Sequence, residues 1–251
     1  MDLRYLVSLE TNRADQYSES VSTDYPYLRK QKIGGVRRIE VMADSMRVGK
    51  TTAVKVIAEG MRKIGYTATE SFEDWEHNPY LKNSYSDPAK NFLESQKWFI
   101  RRKYEQIKKG SNTQIFIQDV APEMDYCYAE TNRRLGRMSE ENFAKYDEFY
   151  RGLDWAQAPA PDLLVYLKVS DEELIRRALD SAREFEKVVP EYFLMMKRVN
   201  REWLSGITNP KFSNSQMNIL EIDTDKLDFA HEEKAKEELV RSVSHYLQMN
   251  E

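Results

Sequence analysis

The chain has 251 residues, with 38 basic against 42 acidic side chains and a formal net charge of -4. That length can bury a full core, and the charge balance gives no global drive towards nucleic acid or anionic membranes. With 32% charged residues, no apolar run of membrane length and no signal peptide, a cytoplasmic protein is expected; one cysteine, Cys127, allows no internal disulfide and reads as a small buried hydrophobe.

Residues 1–36 are polar apart from Leu3, Tyr5, Leu6 and Val7, and are expected to form an N-terminal extension to a domain spanning 37–251. The stretch RRIEVMADSMRVGKTT, Arg37 to Thr52, then predicts a strand, a turn and a helix start. Such a turn cradles phosphates: backbone N–H groups and the helix N-terminus face the anion, a lysine neutralises it and a hydroxyl takes Mg²⁺. Asp44, Ser45, Met46, Arg47, Val48, Gly49, Lys50, Thr51 and Thr52 are therefore candidate nucleotide-binding residues, with Lys50 and Thr51 in the last two roles. Asp44 stands where the pattern usually has its first glycine, and a carboxylate facing the phosphates would repel them.

A helix from about Lys50 to Ile64 leads to a second strand near Thr67 to Glu70, so Glu70 is expected at a strand's carboxyl end, where open α/β sheets bind ligands. A carboxylate there, beside a metal-bound phosphate, can take a proton from an attacking hydroxyl. Asp87-Pro88 then signals a helix of about 22 residues ending at Gly110, carrying Gln96, which can offer both a donor and an acceptor to a flat heterocycle. A third strand with core QIFIQ, a helix pair broken near Gly136 and a buried strand PDLLVYLKV follow. Arg176, Arg177 and Arg183 precede Pro190 in a charged segment able to close over phosphates, Arg176 being assigned instead to a solvated face. A fifth strand and an amphipathic helix end the chain, and five strands interleaved with helices predict a parallel sheet covered on both faces.

Taken together these segments resemble the deoxynucleoside kinase family, P-loop enzymes that phosphorylate the 5′-hydroxyl of a deoxynucleoside. The resemblance rests on Glu70 and Trp75, on Tyr85, Asp87-Pro88 and Gln96, on NRRLGRMSEENFAKYDEFY, on REFEKVVPEYFLMMKRVNREWL and on IDTDKLDF. It implies a three-layer α/β P-loop kinase fold with a helical lid, ATP and Mg²⁺ as cosubstrate and ion, and a homodimer. It also implies Glu70 as general base and, with Thr51, metal ligand; Trp75, Tyr85, Gln96, Asp119, Asp125 and Glu186 around the acceptor; Arg177 and Arg183 on the phosphates; and Asp228 and Phe229 beside adenine.

Two positions depart from the family pattern, Asp44 and the place of an arginine after the third strand. Without a gap, Gln118, Asp119 and Val120 occupy the motif that holds this arginine. Shifted by one, the register preferred because it also puts Asp125 in the base-contacting place, Asp119 takes the carboxylate place and Val120 the arginine's; either way the arginine is lost. Arg101 or Arg102 are the candidate replacement cations. An active deoxynucleoside kinase, a noncatalytic binding subunit and a nucleoside monophosphate kinase using Arg101, Arg102 and Lys103 remain open at this point.

Overall fold

The computed structural model of the chain describes residues 37–158, 160–181, 188–208 and 218–248. The expected extension at 1–36 lies outside them, as do Arg183 and Glu186; Tyr85 is described only by its place in a helix. Five strands, β1 (Arg37–Ala43), β2 (Ala68–Ser71), β3 (Ile115–Asp119), β4 (Leu163–Lys168) and β5 (Ile219–Asp223), form one sheet in the order β2-β3-β1-β4-β5. Every pairing is parallel, with Val41 opposite both Asp119 and Val165. The strands β3 and β4 beside β1 read as apolar runs because both their faces are covered: Ile115, Phe116 and Ile117 are buried, as are Leu163, Leu164, Val165, Tyr166 and Leu167.

Eight α-helices connect and follow these strands among the described residues: α1 (Lys50–Lys63), α2 (Leu81–Ser86), α3 (Pro88–Lys109), α4 (Pro122–Arg134), α5 (Glu140–Arg151), α6 (Asp171–Asp180), α7 (Pro190–Thr208) and α8 (Glu233–Gln248). Right-handed crossovers send the β1-to-β2 connection over one face and the β2-to-β3, β3-to-β4 and β4-to-β5 connections over the other. Accordingly α1 packs with α8, while α4 packs with α3, α5 and α7. The first contact is close enough that a Cβ on Gly60 would stand 2.2 Å from Val240.

Helix starts follow local chemistry. The Ser139 and Ser170 hydroxyls accept from the Asn142 and Glu173 N–H groups at the heads of α5 and α6. Pro88 opens α3 after Asp87, although the Asp87 carboxylate makes no capping bond. Because β1 and β3 lie side by side but send their chains over opposite faces, a crevice opens at their carboxyl ends, where such sheets bind ligands. No helix among the described residues is long and apolar enough to cross a membrane.

Candidate active site

The phosphate turn joins β1 to α1. Gly49 caps α1 at φ 107°, a left-handed conformation that favours glycine, and Arg47 adopts φ 65° without being glycine. The ring of Phe229 lies 3.6 Å from where a Gly49 side chain would begin. The first turn of α1 itself holds no acidic residue. The Lys50 ammonium donates to the Ser45 carbonyl at 3.1 Å across the turn. Burial pulls Lys50 below the ordinary lysine value, against the attraction of Asp119 and Glu73.

Asp44 is fully buried, yet its carboxylate does not enter the turn. It accepts from Arg201 Nε at 2.9 Å and from the same guanidinium's second nitrogen at 2.7 Å. The Tyr166 hydroxyl at 3.1 Å and the Val169 N–H at 2.9 Å complete its partners, and Asn200 donates to the Asp44 carbonyl at 2.9 Å. The charge that sequence reasoning set against phosphate is thus neutralised by α7.

Asp119, the last residue of β3, faces the first turn of α1. Its Oδ2 accepts from the Thr51 hydroxyl at 2.5 Å, and its Oδ1 is buried without a hydrogen-bond partner. Burial pushes the Asp119 carboxyl above its usual range, with Lys50 and the Thr51 hydroxyl pulling it back. No cluster of three or more acidic, histidine or cysteine ligands exists among the described residues. One hydroxyl and one carboxylate with an open oxygen suit Mg²⁺, which keeps several waters and takes its remaining ligands from phosphates.

From this end a cavity of about 490 Å³ runs under α3, α4 and α7. Its wall includes Arg47, Lys50, Thr51, Glu73, Trp75, Gln96, Asp119 and Asp125, with Phe92, Phe99, Tyr128 and Tyr192 as aromatic surface. That size and lining suit a ligand of nucleoside dimensions. The Gln96 Oε1 is buried without a partner, which leaves an acceptor for a ligand's N–H.

Glu70 requires a correction. It lies in β2 opposite Ile117 and its carboxylate takes two bonds from Arg62, at 2.8 and 3.0 Å, outside the cavity wall. Those bonds hold the Glu70 carboxyl below the usual glutamate value. The chain runs on past β2, and it is Glu73 that turns into the cavity. Sequence reasoning missed Glu73 because it anchored on the glutamate at the strand end; the Trp75–His77 turn and Asn78-Pro79 just after were the available signal.

The candidate replacement cations also need correcting. Arg101 lies over the Phe149 ring at 5.1 Å, and Arg102 pairs with Asp74 at 3.1 Å and Glu105 at 3.4 Å. Lys103 points inward instead, 2.7 Å from Asp125 and 3.4 Å from Glu73, with 2% of its side chain exposed. Burial pushes the Asp125 carboxyl up to about 7 while Lys103 pulls it down. For Lys103, burial lowers and Asp125 and Glu73 raise, and the two carboxylates win.

Arg177 reaches the turn through the Val48 carbonyl at 3.2 Å and is otherwise occupied by Glu173 and Thr224. Asp228 closes a local turn on the Ala230 and His231 N–H groups and the His231 ring, while Phe229 is buried against Gly49. Arg176 is a surface residue paired with Glu173 and Asp180. Cys127 is buried, and burial pushes its thiol up.

The family model described as deoxynucleoside kinase matches residues 42–248. A deoxyguanosine kinase of Lactobacillus johnsonii is 24% identical over 214 residues, covering 81% of this chain and 89% of the relative. A deoxyadenosine/deoxycytidine kinase of Bacillus subtilis is 24% identical over 220 residues, covering 85% and 94%. In fold the chain is similar to deoxyadenosine kinase from M. mycoides, with TM-score 0.68, 22% identity and coverage of 83% of this chain and 99% of that one, in a structure with dCMP and dCDP bound. The same enzyme with bound dATP gives TM-score 0.64 at 21% identity, covering 84% and 99%. With that match running from β1 to α8, the chain belongs to the deoxynucleoside kinase family.

Proposed function

We propose that the protein transfers the γ-phosphoryl group of ATP to the 5′-hydroxyl of a deoxynucleoside, with Glu73 as general base. The acceptor oxygen bonds to the γ-phosphorus, its proton passes to Glu73, and the bond from that phosphorus to the ADP oxygen breaks. The observation that carries this reading is that Glu73, Lys50, Thr51 and Asp119 line one nucleoside-sized cavity together with aromatic side chains and the polar Gln96 and Asp125. Lys50 and Arg47 supply positive charge at the transferring group, and the N–H groups of the turn bind the donor phosphates. Mg²⁺, held by Thr51 and Asp119, would offset charge on the donor phosphates. Gln96 and Asp125 meet the heterocycle between Phe92, Phe99 and Tyr128.

Arg177 braces the phosphate turn. Arg183 closes on the phosphates, and Tyr85 and Glu186 hold the sugar 3′-hydroxyl, as the family resemblance implies. The kinase unit begins at about β1, works in the cytoplasm and pairs as a homodimer through the helices on the acceptor side, where Trp98 and Phe149 remain half-buried. Pairing of Asp44 with Arg201 removes one of the two motives for a noncatalytic role, the other being the loss of the arginine that Val120 replaces. A monophosphate acceptor would need the cations that Arg101 and Arg102 direct elsewhere.

The test is product analysis by mass spectrometry with ATP, Mg²⁺ and each common deoxynucleoside or its monophosphate in turn. Formation of a deoxynucleoside 5′-monophosphate, absent in Lys50→Ala, is expected. Turnover of monophosphates alone would contradict it.

A further inference from the structure

Val120 leaves the carboxyl end of β3 without a basic side chain, although the cavity wall there carries three carboxylates, Glu73, Asp119 and Asp125. Lys50 acts on Asp119 and Glu73 from the start of α1, and a second cation among the three comes from α3. Lys103 is 2% exposed, and its ammonium stands 2.7 Å from Asp125 on α4 and 3.4 Å from Glu73 in the segment after β2. Asp119 and Lys50 also act on it electrostatically, as Asp125 does on Tyr146 of α5. A lysine serving only to tie α3 to α4 would need Asp125 alone. Here the second partner is Glu73, whose side chain is 26% exposed and lines the cavity.

We propose that Lys103 is a positioning residue for the transfer: one ammonium, held by Asp125 at the heterocycle end and by Glu73 at the reacting end, sets the charge and orientation of both carboxylates. The inference rests on the reading of Glu73 as general base. An acceptor whose heterocycle engages Asp125 draws on the same carboxylate that anchors Lys103. Recognition of the heterocycle thereby alters how firmly the lysine holds Glu73. With Asp125 neutral, the full charge of Lys103 falls on Glu73; with Lys103 gone, Glu73 loses the ammonium 3.4 Å from its carboxylate.

The experiment follows the carboxyl ¹³C resonance of Glu73 by NMR in the full chain, identified by its disappearance in Glu73→Gln. Relative to wild type, the Glu73 titration midpoint is expected to rise by about one pH unit or more in Lys103→Met, the effect of removing an opposite charge within hydrogen-bonding reach. It should stay near the wild-type value in Lys103→Arg and also in Asp125→Asn, because burial already keeps Asp125 protonated over the range in which a glutamate titrates. Should Lys103→Met alone not fold, because it strands Asp125 in the interior, the comparison of Asp125→Asn with Lys103→Met/Asp125→Asn carries the same expectation. Equal midpoints in that pair would overturn the proposal.

In the active enzyme the acidic limb of kcat/KM must move with the Glu73 midpoint; a limb that stays put while the midpoint moves overturns it too. Turnover by the wild type tests the function itself. The titration reads Lys103 whether or not that reading survives.

Discussion

Arg201 grips the carboxylate of Asp44 through two bonds, at 2.9 and 2.7 Å, and so fastens the first residue of the phosphate turn to α7. Glycine serves at such a position by lacking a side chain. Here a side chain is present and is directed to β4 and α7 instead of the cavity. The consequence is a turn whose start is fixed by an ion pair with 44% of the arginine side chain still exposed.

Removing Arg201 leaves a buried carboxylate with only the Tyr166 hydroxyl and the Val169 N–H. Urea unfolding of Arg201→Ala should show a loss of about 2–4 kcal/mol, below the upper range for a broken buried pair because solvent already reaches the arginine. Nucleotide affinity of Asp44→Asn, measured by calorimetry, should stay within about threefold of wild type, since Arg201 already neutralises the charge.

The Thr51 hydroxyl donates to the Asp119 carboxylate, and these are the two groups proposed to hold Mg²⁺. Asp119→Asn and Thr51→Ala should each weaken ATP binding in the presence of Mg²⁺ by about tenfold or more, and much less in EDTA, because the lost interaction is with the ion. Isothermal titration with and without the metal reads the difference directly.

Asp125 makes stability depend on pH. Its folded-state carboxyl is pushed from 3.8 up to about 7, so between those values the folded protein holds a proton that the unfolded chain has released. This contribution is fully present below about pH 4 and is lost as pH rises through 7. Asp125→Asn should therefore gain stability relative to wild type across that window, by at most about 1.4 kcal/mol per pH unit. Lys103 moderates the slope by favouring the ionised form. Denaturation midpoints at pH 5 and pH 7 for the two proteins provide the check.

The fold was legible because its strands carry their own signal. PDLLVYLKV predicts a buried strand and delivers Leu163–Lys168, and the turn ending in Gly49-Lys50-Thr51 sets the start of α1. Side-chain direction was harder to read. Glu70 and Glu73 are both acidic residues near one strand end, and only the pairing of β2 with β3, which leaves Glu70 beside Arg62, separates them. Three adjacent cations on α3 looked equivalent as a run. The helical period turns Lys103 inward and leaves Arg101 and Arg102 on the outer faces. Asp44 was legible as a departure, whereas its partner Arg201 lies 157 residues away and could not be found from spacing.

The central claim is tested most directly by comparing two glutamates in one assay: formation of deoxynucleoside 5′-monophosphate from ATP by wild type, Glu73→Gln and Glu70→Gln. The account predicts that Glu73→Gln lowers kcat by about 10²- to 10⁴-fold, the range for losing a general base, with acceptor affinity little changed. Glu70→Gln should keep nearly full activity, because its partner Arg62 lies outside the cavity and an exposed pair contributes about 0–1 kcal/mol to stability. An active Glu73→Gln, or an inactive Glu70→Gln that remains folded, would contradict the account.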